Sequence, residues 1–204
     1  GATGAAGAPG TAGAAWLPVG DPRLALALLA AEFHGHPSRS MRVVGVTGTN
    51  GKTTTAYLVR AILEAAGIKC GLMGTVAYCI GDREVEASRT TPEAPEVQGF
   101  LREMLDEACG ACVMEVSSHA LALRRVDGMQ FAAGVFTNLT RDHLDFHGSM
   151  ESYFVAQRRL FAMLPATAPA VVNLDDPRGA ALVAVAGTPA TSAIGQAADV
   201  TPGP

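Results

Sequence analysis

Residues 43–55 read V-V-G-V-T-G-T-N-G-K-T-T-T: an apolar run, then a G-x-x-G turn, a lysine and three consecutive threonines. Gly48 and Gly51 let a backbone turn sharply and approach an anion without a Cβ in the way. Around them Thr49, Asn50, Lys52, Thr53 and Thr54 complete a loop whose N–H groups, over 50–54, would converge on a phosphate at a helix N-terminus. Lys52 would reach the terminal phosphates of a nucleotide, and the Thr53 hydroxyl would ligate Mg²⁺. The commonest spacing of such a loop has a glycine five positions before Gly51, where this chain has Val46. The loop is therefore the shorter G-x-x-G-K-T form. The competing reading is a glycine-rich strand-to-helix turn with a surface lysine.

Other polar residues follow apolar runs in the same way. Glu115 ends one such run and His143 lies beyond another, so a parallel sheet would bring both to one rim. A carboxylate and an imidazole there can hold a divalent ion, although a lone histidine by itself is a weak indication of a ligand. Asp142 and Asp145 suit caps or loop acceptors, His119 helix packing or a local hydrogen bond, and His147 a turn. Thr90 and Thr91 precede Pro92, which favours extended backbone at Thr91, and both hydroxyls can equally well form turns. Cys109 and Cys112 have redox or zinc spacing, but no second pair of ligands is suitably placed, and free thiols are expected.

The elements that position these residues alternate. Strands are expected at Val43–Thr47, Cys70–Val76, Ala111–Val116, Phe131–Thr137, Ala170–Asn173 and Ala190–Ile194. Helices fit between them at Thr53–Ala66, Pro95–Ala108, Ser118–Arg124, Ser149–Leu164 and Pro177–Ala186. Asp21-Pro22 reads as an N-cap and first helical position, opening a helix through Phe33 that Pro37-Ser38 breaks. Several strands are apolar throughout, as happens where helices cover both faces of a sheet. The fold class is therefore α/β, a doubly wound, mostly parallel sheet carrying a phosphate loop. Order is expected to begin near Trp16, because residues 1–15 are only Gly, Ala, Thr and Pro.

The 204 residues are 49% hydrophobic and 17% charged, enough for one large α/β core. A formal charge of −4 argues against a general nucleic-acid or anionic-membrane surface. No apolar run reaches the roughly 18 to 20 residues of a membrane span, and no basic n-region precedes an apolar stretch. A cytoplasmic monomer acting on small molecules is the expectation.

The loop 44–55 resembles the ATP signature of the Mur ligases, a family that includes folylpolyglutamate and cyanophycin synthetases. Four further segments are similar to the MurE type within it: Thr90-Thr-Pro-Glu-Ala94, Met114-Glu-Val-Ser-Ser-His-Ala-Leu121, Thr137-Asn-Leu-Thr-Arg-Asp-His-Leu-Asp-Phe-His147 and Val172-Asn-Leu-Asp-Asp-Pro177. The first two argue against the other Mur-type ligases. A P-loop GTPase would share the loop but would carry an N-K-x-D guanine-reading motif, which does not occur here.

The resemblance implies ATP and Mg²⁺ as cofactors, and catalytic roles for Lys52, Glu115 and His143, with Thr53, Glu115 and His143 on the metal. It implies contacts from Thr90, Thr91, Ser117 and Arg125 to a UDP-MurNAc-dipeptide, which would be joined to an amino acid through an acyl phosphate. It also implies a domain division: residues 1–40 as a flexible start and the tail of an N-terminal UDP-binding domain, 41–204 as an incomplete central domain, and a C-terminal domain beyond. Two positions depart from the family pattern. Leu123 stands where some members have glutamine, and Gln157 where the family usually has a lysine that takes up CO₂ as a carbamate beside the second Mg²⁺.

Overall fold

The structure is a computed structural model that describes residues 18–185 and 188–192. The expected start of order at Trp16 lies outside the described residues. Helix α1 runs Pro22–Phe33, and the Asp21 carboxylate accepts the Arg23 and Leu24 N–H groups as its N-cap. Then follow β1 (Arg42–Thr47), α2 (Lys52–Ala65) and β2 (Cys70–Met73), with a hairpin of β3 (Ala77–Ile80) and β4 (Arg83–Glu86). Next come α3 (Ala94–Asp106), β5 (Ala111–Glu115), α4 (Ser118–Ala122) and β6 (Ala133–Phe136). The described chain closes with α5 (Leu144–His147), α6 (Met150–Ala162), β7 (Pro169–Asn173), α7 (Gly179–Val183) and β8 (Thr188–Ser192).

The eight strands form one sheet in the order β4-β3-β2-β5-β1-β6-β7-β8. From β2 to β8 every pairing is parallel, and β3 and β4 add an antiparallel edge. The chain leaves β1 toward β2 on one side, returns through β5, and continues to β6 on the other side of β1. The connections diverge around β1, so the loops after β1, β5 and β6 open a crevice at the strands' carboxyl ends.

The sheet buries both faces. Val46, Leu72 and Val113 pack toward Ala56, Val59 and Leu63 of α2. Val43, Cys112 and Met114 belong to a larger cluster with Leu101, Leu121, Phe131, Tyr153 and Leu160. Continuous burial of β5 is the physical reason that its sequence does not alternate.

Two expectations are corrected. The strand expected over Cys70–Val76 ends at Met73, and a turn closed by Gly74 N–H to the Ala77 carbonyl (3.2 Å) reverses it into β3. The helix expected over Ser118–Arg124 ends at Ala122, with Arg124 at φ 59° and the Arg125 N–H returning to the Ala120 carbonyl. Residues 21–33 are carried on the same body as the sheet: α1 packs on α3, and Asp21 pairs with Arg124.

Candidate active site

The phosphate loop joins β1 directly to α2. Gly48 sits at φ 136°, and a Cβ there would lie 2.0 Å from Thr137 Oγ1, so a side chain is excluded twice over. Gly51, at φ 82°, is the N-cap of α2. The N–H groups of Gly51, Lys52, Thr53 and Thr54 have no acceptor among the described residues, and Thr55 N–H begins the helical ladder at the Gly51 carbonyl. Four orphan donors at a helix N-terminus form an anion seat.

Asn50 N–H, expected in that seat, instead donates to Asn138 Oδ1 at 3.0 Å. Lys52 Nζ bends over the loop and donates to the Gly48 and Thr49 carbonyls at 2.8 Å each. Burial lowers the Lys52 pKa, while Glu115 and Asp142 act in the opposite direction.

The segment after β6 braces the loop, a role that the sequence reading missed. Asn138 Nδ2 and Thr137 Oγ1 both donate to the Asn50 carbonyl, and the Thr49 N–H donates to the Asn138 carbonyl. The Thr49 hydroxyl accepts from Thr140 N–H and meets the Tyr153 hydroxyl at 3.0 Å. Asp176 accepts Leu139 N–H, and Asn173 Nδ2 donates to the Thr137 carbonyl, so the Asn-Leu-Asp-Asp end of β7 holds the brace in turn. The signal was present as a dense run of Thr and Asn, whose short side chains bond nearby backbone.

Glu115, at the end of β5, has no exposed surface. Its Oε1 accepts Thr75 N–H at 2.9 Å, and its Oε2 accepts the hydroxyls of Thr53 (3.0 Å) and Thr75 (3.2 Å). Two of the three expected ion ligands, Thr53 and Glu115, thus meet, while the contacts of the third, His143, are with other residues. His143 lies on the neighbouring loop at φ 51°, 3.6 Å from the Asp142 carboxylate, and packs edge-on against His119 and Tyr153. His147 donates to or accepts from Ser118 Oγ at 2.9 Å and stacks on Tyr153. Burial, then the neighbouring imidazoles, lowers the pKa of both His119 and His147.

The four expected substrate residues are adjacent but unequal in exposure. Thr91 is 1% exposed; its hydroxyl donates to the Glu115 carbonyl and accepts Ser117 N–H. Thr90 is half-exposed and bonds the Thr75 hydroxyl at 3.0 Å. Ser117 caps α4 through Ala120 N–H. Arg125 donates to the Thr91 carbonyl and pairs with Glu93 at 2.7 Å, while its Nε is buried without a partner. Arg125 faces a cavity of about 260 Å³ that Arg23, Leu26, Glu93, Ala94 and Leu123 also line. A larger cavity of about 580 Å³, lined by Arg39, Arg42 and Lys69, lies at the strands' opposite ends, away from this chemistry.

Gln157 of α6 is wholly buried, and its amide makes no well-formed hydrogen bond; its approach to the Tyr153 hydroxyl falls short of good hydrogen-bond geometry. It lies near enough to Tyr153 to act slightly on the phenol, whose pKa burial raises. The four cysteines are free and buried; burial pushes the Cys70 thiol up to about 11 and raises Cys79 and Cys112, which disfavours the reactive thiolate at these three.

Oxygen donors from Thr53 and Glu115 suit Mg²⁺, which keeps several waters and takes phosphate oxygens instead of an all-protein cage. No group of three or more His, Cys, Asp or Glu able to hold a metal occurs among the described residues. Among the same residues no helix is long and apolar enough to cross a membrane.

Fold and loop together define a P-loop α/β protein. Residues 46–199 match the Mur ligase middle domain, and the chain belongs to the Mur ligase family. It is 52% identical over 186 residues to a UDP-N-acetylmuramoyl-L-alanyl-D-glutamate–2,6-diaminopimelate ligase of Geobacter metallireducens, covering 88% of this chain and 36% of that protein. The like-named ligase of Clostridium perfringens is 48% identical, with 82% and 34% covered. A solved structure of a ligase of the same name superposes with TM-score 0.75 at 29% identity, over 87% of this chain and 37% of that one. A solved structure of E. coli FolC in complex with DHPP and ADP shares the fold at TM-score 0.58 and 23% identity, over 86% of this chain and 47% of that one. The chain thus spans about a third of the length of the relatives it matches.

Proposed function

We propose that this chain is the central ATP-binding part of a ligase that joins an amino acid to UDP-MurNAc-L-Ala-D-Glu in the cytoplasm, with residues 41–204 as that domain and 1–40 leading into it. The observation that carries the reading is the anion seat of residues 51–54, opening beside Lys52 and the Thr53–Glu115 pair. In the first step a substrate carboxylate oxygen attacks the γ-phosphorus of ATP, and ADP leaves. In the second the incoming amine attacks the acyl carbonyl, loses a proton, and inorganic phosphate departs. Catalysis of this kind rests on in-line positioning and on neutralising charge at the transferring phosphoryl group.

The N–H groups of 51–54 and Lys52 bind and orient the phosphates. Thr53, Glu115 and His143 would hold Mg²⁺, which supplies charge neutralisation between the phosphates. Thr90, Ser117 and Arg125 orient the acceptor carboxylate, with Thr91 fixing Ser117 and Arg125 from beneath. Apolar Leu123 replaces a polar wall of that cleft.

Lys52→Ala should weaken the binding that a fluorescent ATP analogue reports roughly ten- to a hundredfold, since a charge-assisted hydrogen bond is worth about 1.5 to 3 kcal/mol. Unchanged affinity would overturn the phosphate-loop reading.

A further inference from the structure

We infer that Thr75, at the turn between β2 and β3, is a positioning residue that sets which oxygen of Glu115 faces the nucleotide's divalent ion. This rests on the reading of Glu115 as an ion ligand. Thr75 holds both ends of the carboxylate: its N–H donates to Oε1 at 2.9 Å, and its hydroxyl to Oε2 at 3.2 Å. Oε2 is also the oxygen that Thr53 reaches, so Oε2 is the one presented to the phosphate loop, its direction set by the Thr75 hydroxyl while the Thr75 N–H holds Oε1.

The turn is built for this approach. A Cβ on Gly74 would lie 2.5 Å from Glu115 Oε1, so the residue before Thr75 has to be bare for the carboxylate to sit where it does.

The same hydroxyl reaches Thr90 at 3.0 Å. A hydroxyl has one proton, and Thr75 gives its own to Glu115, so Thr90 donates to Thr75. Thr53, Glu115, Thr75 and Thr90 therefore form one hydrogen-bonded chain from the phosphate loop to the acceptor cleft. Thr90 is left with lone pairs facing outward, suited to a substrate N–H or O–H.

The test is Mg²⁺ dependence of nucleotide binding by this chain, read with a fluorescent ATP analogue and, independently, by Mn²⁺ water-proton relaxation. Thr75→Val keeps the shape and loses the hydroxyl. It should raise half-saturating Mg²⁺ roughly five- to tenfold and leave metal-free nucleotide affinity unchanged, while Thr75→Ser restores the original requirement. Should the valine variant not fold, Thr75→Ala, which only shortens an exposed side chain, takes its place. If the Mg²⁺ requirement stays put in Thr75→Val but rises in Glu115→Gln, the inference about Thr75 is overturned. If it stays put in Glu115→Gln as well, the ion reading of Glu115 fails instead.

Discussion

At the scale of single residues, Gln157 carries the clearest conflict between burial and chemistry. A carboxamide with no exposed surface, whose approach to the Tyr153 hydroxyl falls short of good hydrogen-bond geometry, carries a desolvation penalty of up to about 1 to 3 kcal/mol. A bland surface role for this position is thereby removed. Gln157→Met fills the same volume without the polar atoms and should raise stability by about 1 kcal/mol or more in a urea melt. A fall would mean that the amide is satisfied after all. A glutamine also has no amine to take up CO₂. In a full-length protein carrying this domain, bicarbonate added to CO₂-depleted buffer should leave the ligation rate unchanged. Gln157→Lys should make the rate respond to it. Clear activation of the unmodified protein would show that a carbamate forms elsewhere.

Among the elements, those with strong local signals were legible and those defined by distant partners were not. The periodic helices α2, α3 and α6 and the apolar strands β1, β5 and β7 lie within a few residues of expectation. The hairpin β3–β4 was missed because β4, Arg-Glu-Val-Glu, is a charged edge strand whose only ladder among the described residues is with β3. At the site, the loop, Glu115 and Thr53 could be read from spacing. The brace of Thr137–Thr140 and the turn at Thr75 could not, because each acts through a residue some 40 to 90 positions away. The cluster of α4, α5 and α6 around His119, His143, His147, Phe146 and Tyr153 is likewise tertiary. Its pH dependence follows from the direction of two pKa shifts. His119 and His147 lie below the ordinary 6.5 in the folded state, so the unfolded chain binds more protons as pH falls through that value. Stability should therefore decline from about pH 6.5 downward, and His147→Phe should flatten that decline in thermal melts at pH 7.5 and 5.5. An equal slope in the variant would remove the histidine explanation.

For the whole molecule, relatives about three times as long carry more chain than is described here. In a full-length protein the acceptor would lie between the cavity beside Arg125 and the phosphate loop. On the proposed function Arg125 would contact it. One buried Nε is unpaired, and the Glu93 partner at 2.7 Å is itself half-exposed, so an anionic group can compete for the guanidinium. Arg125→Ala should raise the KM for the UDP-MurNAc-dipeptide roughly ten- to a hundredfold, the equivalent of about 1.5 to 3 kcal/mol for a charge-assisted contact. Thr91→Ala should act in the same direction but less, because Thr91 touches Ser117 and Arg125 and not open solvent. The KM for ATP should move little in either variant, since the phosphate loop is braced from the other side, by Thr137–Thr140. Steady-state kinetics with each substrate varied in turn reads both constants. If the two variants weaken ATP alone, the cleft beside Arg125 belongs to the nucleotide and the acceptor binds elsewhere.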